Sequence, residues 1–309
     1  MFSSKPFQVA YFYRKSIHRQ IDRLLEKHKP DHIFCQLIRT AAYAGNSTID
    51  KTIDYQDVFS AGLKRRCDIA PWYKRLLLNT EYKRVLSCEA DIFNRFDKKT
   101  IISYPDRAKI PHPKRNQITV IPNGVDTQFF KPYAAEKRYD VVFTGNMGYP
   151  PNIDGAEFLV KEIMPLVWSE RPETTVVIAG ANPAPKVKGL ASDKVKITGW
   201  VDDIRTYYAS SRVFIAPMRL GTGLQNKVLE AMAMQLPCIT SPLANKALSA
   251  HDGTEVLIGK NTRMYAQHIL SLLSDLEAGE KLRKKGYSFV LQHFNWESTT
   301  LKLAEVITR

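Results

Sequence analysis

Between residues 139 and 259 one pattern recurs: a short run with an apolar core, then a stretch with helical spacing. The runs are YDVVFTG (139–145), TTVVIAG (174–180), KVKITG (194–199), RVFIAP (212–217), PCIT (237–240) and TEVLIG (254–259). Residues 152–171 carry Phe158, Leu159, Ile163, Leu166 and Val167 at helical spacing, and 201–211 reads as a shorter helix. Continuous apolar strands alternating with helices imply a parallel sheet covered on both faces. Such sheets bind ligands at the carboxyl ends of their strands. Three runs end in Thr-Gly or Ala-Gly, at Gly145, Gly180 and Gly199. A single glycine there is ordinary turn punctuation. Three at equivalent strand ends point to a ligand crevice, because glycine admits close approach and unusual backbone angles.

The first 120 residues are α/β again but less regular. Residues 16–29 read as a basic amphipathic helix closed by Pro30, and 71–97 as one long helix or two. Strands are expected at 31–38, 47–54, 99–104 and 117–122. The first strand follows a helix, so this domain looks trimmed at its front. Residues 123–138 read as a turn-rich linker opened by Asn123-Gly124. The expected division is 1–138 (incomplete domain with linker), 139–294 (second domain) and 295–309 (a helix packing back toward the first). A chain of 309 residues, 44% hydrophobic, accommodates two such cores.

The four cysteines are scattered without a Cys-x-x-Cys pair, which argues against a structural zinc site or a disulfide scaffold and fits a reducing cytoplasm. No stretch approaches the apolar length of a membrane span, and the first residues lack the core of a signal peptide. The net charge of +14 is lopsided. Residues 1–138 hold 26 basic and 14 acidic residues, the remainder 19 and 17. A basic first half attracts anionic lipid, nucleic acid or small anions. GLKRRCDIAPWYKRLLL (62–78) mixes cations with Trp72, Tyr73 and leucines, as a segment at an anionic membrane surface would, and a solvated helix face has the same composition. No nucleic-acid module accompanies the charge.

GTGLQNKVLEAMAMQLPCIT (221–240) sets one acid, Glu230, among Val228, Leu229, Ala231 and Met232. A carboxylate there needs hydrogen-bond donors. Lys227, three residues earlier, is one source.

This segment, VIPNGVDTQFFKP and VVFTGNMGYPPNIDGAEFL together resemble the family 4 glycosyltransferases, in particular the bacterial sugar transferases of polysaccharide biosynthesis. The resemblance spans about residues 30–300. It implies the GT-B fold of two Rossmann-like domains, with the second holding a nucleotide sugar (UDP- or GDP-linked, as co-substrate with no further cofactor). The first would hold a glycan or lipid-linked acceptor, with the protein in the cytoplasm or peripheral at the inner face of the membrane. It makes Glu230 the acceptor for the ribose hydroxyls, a diol matched to two carboxylate oxygens. Gly221 and Gly223 would expose backbone N–H groups to phosphate or sugar oxygens, with Thr222, Leu224 and Gln225 beside them. Arg219 and Lys227 would neutralise the diphosphate. Gly145 and Asn146 would approach the donor, and the base would lie near Gly180, Gly199 and Trp200.

The chain departs from the family pattern in three places. Thr222 stands where many members carry a second glutamate. The residues after the first strand of this domain, GNMGYPPN, lack the Arg and Lys that many members carry. In DHIFCQ, Gln36 replaces the second histidine of an acceptor-side motif, able to hydrogen-bond a sugar but not to act as a base, and His32 reads as a strand residue. Closure of two domains would exclude water during transfer. No metal-ligand cluster is visible in the sequence. Two other readings stay open: a nucleotide-sugar epimerase on the same fold, and a non-catalytic subunit that binds nucleotide sugar or membrane.

Overall fold

The computed structural model describes residues 5–44, 47–221 and 223–308. Thr222, one of the expected donor contacts, lies outside the described residues. The chain divides into two compact units, Met1–Pro122 with Thr300–Arg309, and Asn123–Thr299.

The first unit is built on a four-stranded parallel sheet whose spatial order follows the sequence. Its strands are β1 (His32–Gln36), β2 (Asp50–Asp54), β3 (Lys98–Ile101) and β4 (Thr119–Val120). Two helices, Phe7–Phe12 and Lys15–His28, precede β1, and the span 71–97 forms the single helix Trp72–Arg95. Ile38, Ile53, Tyr55, Val85, Ile92 and Ile101 are fully buried in its core. The helix Phe59–Ile69 packs on Trp72–Arg95 as a hairpin.

The second unit carries six strands: β5 (Tyr139–Thr144), β6 (Val176–Ala179), β7 (Val195–Ile197), β8 (Ser211–Ala216), β9 (Cys238–Thr240) and β10 (Leu257–Ile258). All pairs are parallel, in the order β10-β9-β8-β5-β6-β7. Val141, Val142, Val177, Ile178, Val213, Phe214 and Ile239 are wholly buried, which is why these runs carry no polar alternation. The order reverses between β5 and β8. From β5 the chain adds β6 and β7 on one side, then crosses to β8 on the other. In sheets of this kind ligands bind where the loops diverge at such a reversal, which here is at the carboxyl ends of β5 and β8. The long helical stretch after β5 is continuous over residues 150–170 but passes through a π turn at Leu159–Ile163. Pro165 explains it: the proline ring cannot sit against an α-helical carbonyl four residues back.

One boundary moves relative to the sequence reading. Residues 123–138 group with the second unit, so the division falls at Pro122 rather than at 138. Side-chain and backbone bonds bind this segment there. The Val125 amide donates to the Phe294 carbonyl at 2.7 Å, and the Lys137 ammonium donates to the Ala209 and Ser211 carbonyls at 2.8 Å each. A Cβ on Gly124 would come within 2.8 Å of the Trp296 backbone and ring, so the Asn-Gly turn is also a packing requirement. The last helix, Trp296–Thr308, is divided at Thr300, and its residues from there group with the first unit.

Candidate active site

The carboxyl ends of β5, β6 and β7 bring Gly145, Gly180 and Gly199 together. The Gly145 amide donates to Ala179 and the Gly180 amide to Gly199, at 3.1 and 3.2 Å. Gly145 and Gly180 have φ of +149° and +141°. A Cβ on Gly180 would sit 1.9 Å from the Gly145 oxygen, and one on Gly145 would sit 2.7 Å from Asn152 Nδ2 and 2.9 Å from Lys227 Nζ. These two glycines are thus demanded by loop-on-loop packing. Gly199, at φ +74°, borders open space, and Trp200 beside it is 77% exposed.

The loop after β5 closes on itself through two amides. Asn146 Oδ1 accepts from the Gly148 amide at 3.0 Å, and Asn152 Nδ2 donates to the Asn146 carbonyl at 2.9 Å. Asn152 Oδ1 in turn accepts from the Lys227 ammonium, which arrives from the helix Asn226–Ala233 after β8. Lys227 also lies over the Phe143 ring, 4.7 Å from its centroid. Burial pushes its pKa down to about 7, with the negative charge of Glu230 opposing the shift.

Glu230 is half-buried one turn further along the same helix. The ion pair with Lys227 that helical spacing permits does not form. Instead Oε2 accepts from the Tyr208 phenol at 2.8 Å. Tyr208 is fully buried, and its oxygen also lies 2.8 Å from Thr144 Oγ1 at the end of β5. Burial raises the Glu230 pKa, while the phenol's hydrogen bond and the Lys227 charge hold it down. Burial drives the Tyr208 pKa far up, so the phenol stays a neutral donor. One carboxylate oxygen is fixed from behind, and a carboxylate has acceptor capacity beyond one bond.

Arg219 does not join this cluster as a free cation. Its guanidinium donates to both oxygens of Asp154, at 2.8 and 3.1 Å, and to Glu162 at 3.0 Å, and it lies 4.3 Å over the Phe158 ring. Two carboxylates on the helical stretch after β5 neutralise it, so the cation delivered to the strand ends is Lys227. In the loop itself Gly221 and Gly223 have φ of +111° and +76°, left-handed values that favour glycine. Leu224 is buried and Gln225 is the N-cap of the Glu230 helix.

In the first unit, Gln36 is exposed at the carboxyl end of β1, and its carbonyl accepts from the Thr40 hydroxyl at 2.7 Å. His32 Nε2 lies 2.8 Å from Thr52 Oγ1 on β2, and burial lowers its pKa. It serves the sheet, in keeping with its reading as a strand residue. Sequence reasoning missed Thr144, Asn152 and Tyr208. A phenol three residues before β8 gives no sign in the sequence of its burial against Glu230.

Comparison with known proteins places the fold and the second unit. Residues 138–275 match the family model described as Glycosyl transferases group 1. An uncharacterised 44.6 kDa protein from the cps region of Klebsiella pneumoniae is 21% identical over 291 residues, covering 86% of this chain and 71% of its own. Sucrose-phosphate synthase from Thermosynechococcus elongatus superposes with a TM-score of 0.72 at 17% identity, covering 94% of this chain and 76% of that one. Anabaena HepE, solved in complex with UDP, superposes with a TM-score of 0.75 at 14% identity, covering 94% and 81%. The two parallel-sheet units are those of the GT-B fold. With a group 1 domain as its second unit, the chain is of the glycosyltransferase class. No helix among the described residues is long and apolar enough to cross a membrane.

Proposed function

We propose that the protein is a retaining glycosyltransferase. It moves a sugar from a nucleotide-sugar donor to a glycan or lipid-linked acceptor in polysaccharide synthesis, on the cytoplasmic side of the membrane. The observation that carries this reading is the pairing of Glu230, held by Tyr208 through one oxygen, with the Lys227 ammonium beside the Gly145 backbone. A carboxylate so held suits two adjacent ribose hydroxyls. An ammonium a turn away suits the diphosphate that follows the ribose. Its depressed pKa reports how much that buried cation lacks a full counter-charge.

Departure of the nucleoside diphosphate leaves positive charge on the sugar ring and collects negative charge on the leaving oxygens. Lys227 and the backbone amides of the 221–225 loop would stabilise the latter. Nothing among the described residues names a protein nucleophile. Retention rests on the resemblance, and the anomeric coupling of the product reads it. The cps-region relative favours polysaccharide as the pathway, and the UDP complex of Anabaena HepE makes uridine the first base to try.

The test is a thermal-shift screen with UDP, GDP, ADP and their sugars, repeated on Glu230→Ala. One nucleotide series is expected to stabilise the protein. The variant is expected to bind it more weakly by about 1–3 kcal/mol, the cost of losing buried hydrogen bonds. No shift with any nucleotide, or equal binding by the variant, overturns the reading.

A further inference from the structure

The helical hairpin of the first unit ends in a surface that the donor site does not use. Trp72, Tyr73, Leu76 and Leu77 lie in the first two turns of the helix Trp72–Arg95 and are 83%, 61%, 79% and 61% exposed. At 100° per residue, Trp72 and Leu76 project opposite Leu78, Val85 and Ile92, which face the core. The apolar stripe is therefore a second, outward one that the fold leaves unpaired. Exposed singly, such residues need no explanation; four within six positions at one tip do.

Charge decides what covers them. Residues 62–78 hold five cations, Lys64, Arg65, Arg66, Lys74 and Arg75, against one acid, Asp68, and all five are exposed. The tip is also fixed. Arg75 Nε donates to the Ala70 carbonyl at 2.9 Å and its Nη2 to the Asp68 carbonyl at 3.3 Å, holding the turn between the helices. A two-fold contact with a second copy would set ten cations around one apolar patch. An anionic lipid surface takes both features at once: aromatic rings and leucines enter the headgroup boundary, and the cations meet the phosphates. We propose that the hairpin tip formed by residues 62–78 docks this protein on an anionic membrane, with Trp72, Tyr73, Leu76 and Leu77 as the inserted side chains.

This inference stands independently of the nucleotide site. The experiment is co-sedimentation of the whole protein with phosphatidylcholine vesicles, with and without 30% phosphatidylglycerol, alongside analytical ultracentrifugation without lipid. Binding to the anionic vesicles only is expected, falling as salt rises. Leu76→Glu with Leu77→Glu is expected to lower that binding at least tenfold. Lys74→Gln with Lys64→Gln is expected to lower it severalfold. Both pairs of side chains project into solvent, so melting temperature and the UDP, GDP or ADP shift should hold, which separates this test from that of the donor site. Equal binding to both vesicle types overturns the proposal. So does wild-type binding by the double glutamate variant, or a lipid-free dimer that this variant abolishes.

Discussion

Tyr208→Phe isolates the hydrogen bond that holds Glu230. The ring keeps its packing against Phe130 and Phe214, at centroid distances of 6.3 and 5.9 Å, and only the hydroxyl leaves. That hydroxyl bridges Thr144 Oγ1 and Glu230 Oε2 at 2.8 Å each. A hydrogen bond to a charged group contributes about 1.5–3 kcal/mol, and a buried hydroxyl left unpaired costs about 1–3 kcal/mol. Thr144 is 2% exposed and is stranded, whereas half-buried Glu230 recruits water. The expected loss is about 2–4 kcal/mol of stability, or about 4–16 °C in melting temperature for a unit of this size. Losing the phenol also removes one of the two influences that hold the Glu230 pKa down, so it rises further. Nucleotide affinity is expected to fall about 5- to 30-fold, since the carboxylate is no longer pre-set. Differential scanning fluorimetry and isothermal titration measure both quantities. Tyr207→Phe, one residue earlier and only partly buried, is the control expected to change neither. Unchanged melting and unchanged affinity in Tyr208→Phe would refute the reasoning.

Lys227 makes binding depend on pH. Its folded pKa lies near 7, below the ordinary lysine range, so the protein without ligand gains stability as pH rises above 7 and loses it as pH falls through 7. A diphosphate needs the charged form and must bring a proton with it. Nucleotide affinity is therefore expected to fall by up to about tenfold per pH unit between roughly 7.5 and 9, and titration in buffers of different ionisation enthalpy checks the proton uptake. Lys227→Arg, which stays charged, is expected to remove that slope. Arg219→Met breaks ion pairs to Asp154 and Glu162 that are partly exposed, and exposed pairs contribute about 0–1 kcal/mol. Melting is expected to drop by only a few degrees and nucleotide affinity to stay within about threefold. A loss beyond tenfold would mean that the guanidinium leaves its acids for the diphosphate.

Much of the second unit is readable in the sequence because its strands are buried on both faces. YDVVFTG and RVFIAP leave no choice of period, and of the glycines that end β5 and β6, Gly180 marks a backbone approach of 1.9 Å to an added Cβ and Gly145 a side-chain approach of 2.7 Å. Glu230 is equally legible, an acid in an apolar helix with a partner still to be found. What eludes the sequence is who stands opposite. Asp154 and Glu162 reach Arg219 across more than fifty residues, and only the packing of one loop on another helix creates the pairing. Tyr207 and Tyr208 are identical in type, and helix phase alone sends the second inward to Thr144 and Glu230. The segment 123–138 has the composition of a linker, yet the Lys137 ammonium and the Val125 amide fasten it to the second unit. The helix Phe59–Ile69 is short and interrupted by Gly62, with Leu63 and Cys67 as its buried contacts, a weak signal before its partner is known.

The direct measurement of the central claim pairs a nucleotide edit with a side-chain edit. Isothermal titration would compare the preferred nucleoside diphosphate with its 2′,3′-dideoxy form, on the unaltered protein and on Glu230→Ala. The unaltered protein is expected to favour the ribose form by at least tenfold, and the variant to bind both forms alike. Discrimination that survives in Glu230→Ala, or none in the unaltered protein, would contradict a carboxylate that grips the sugar diol.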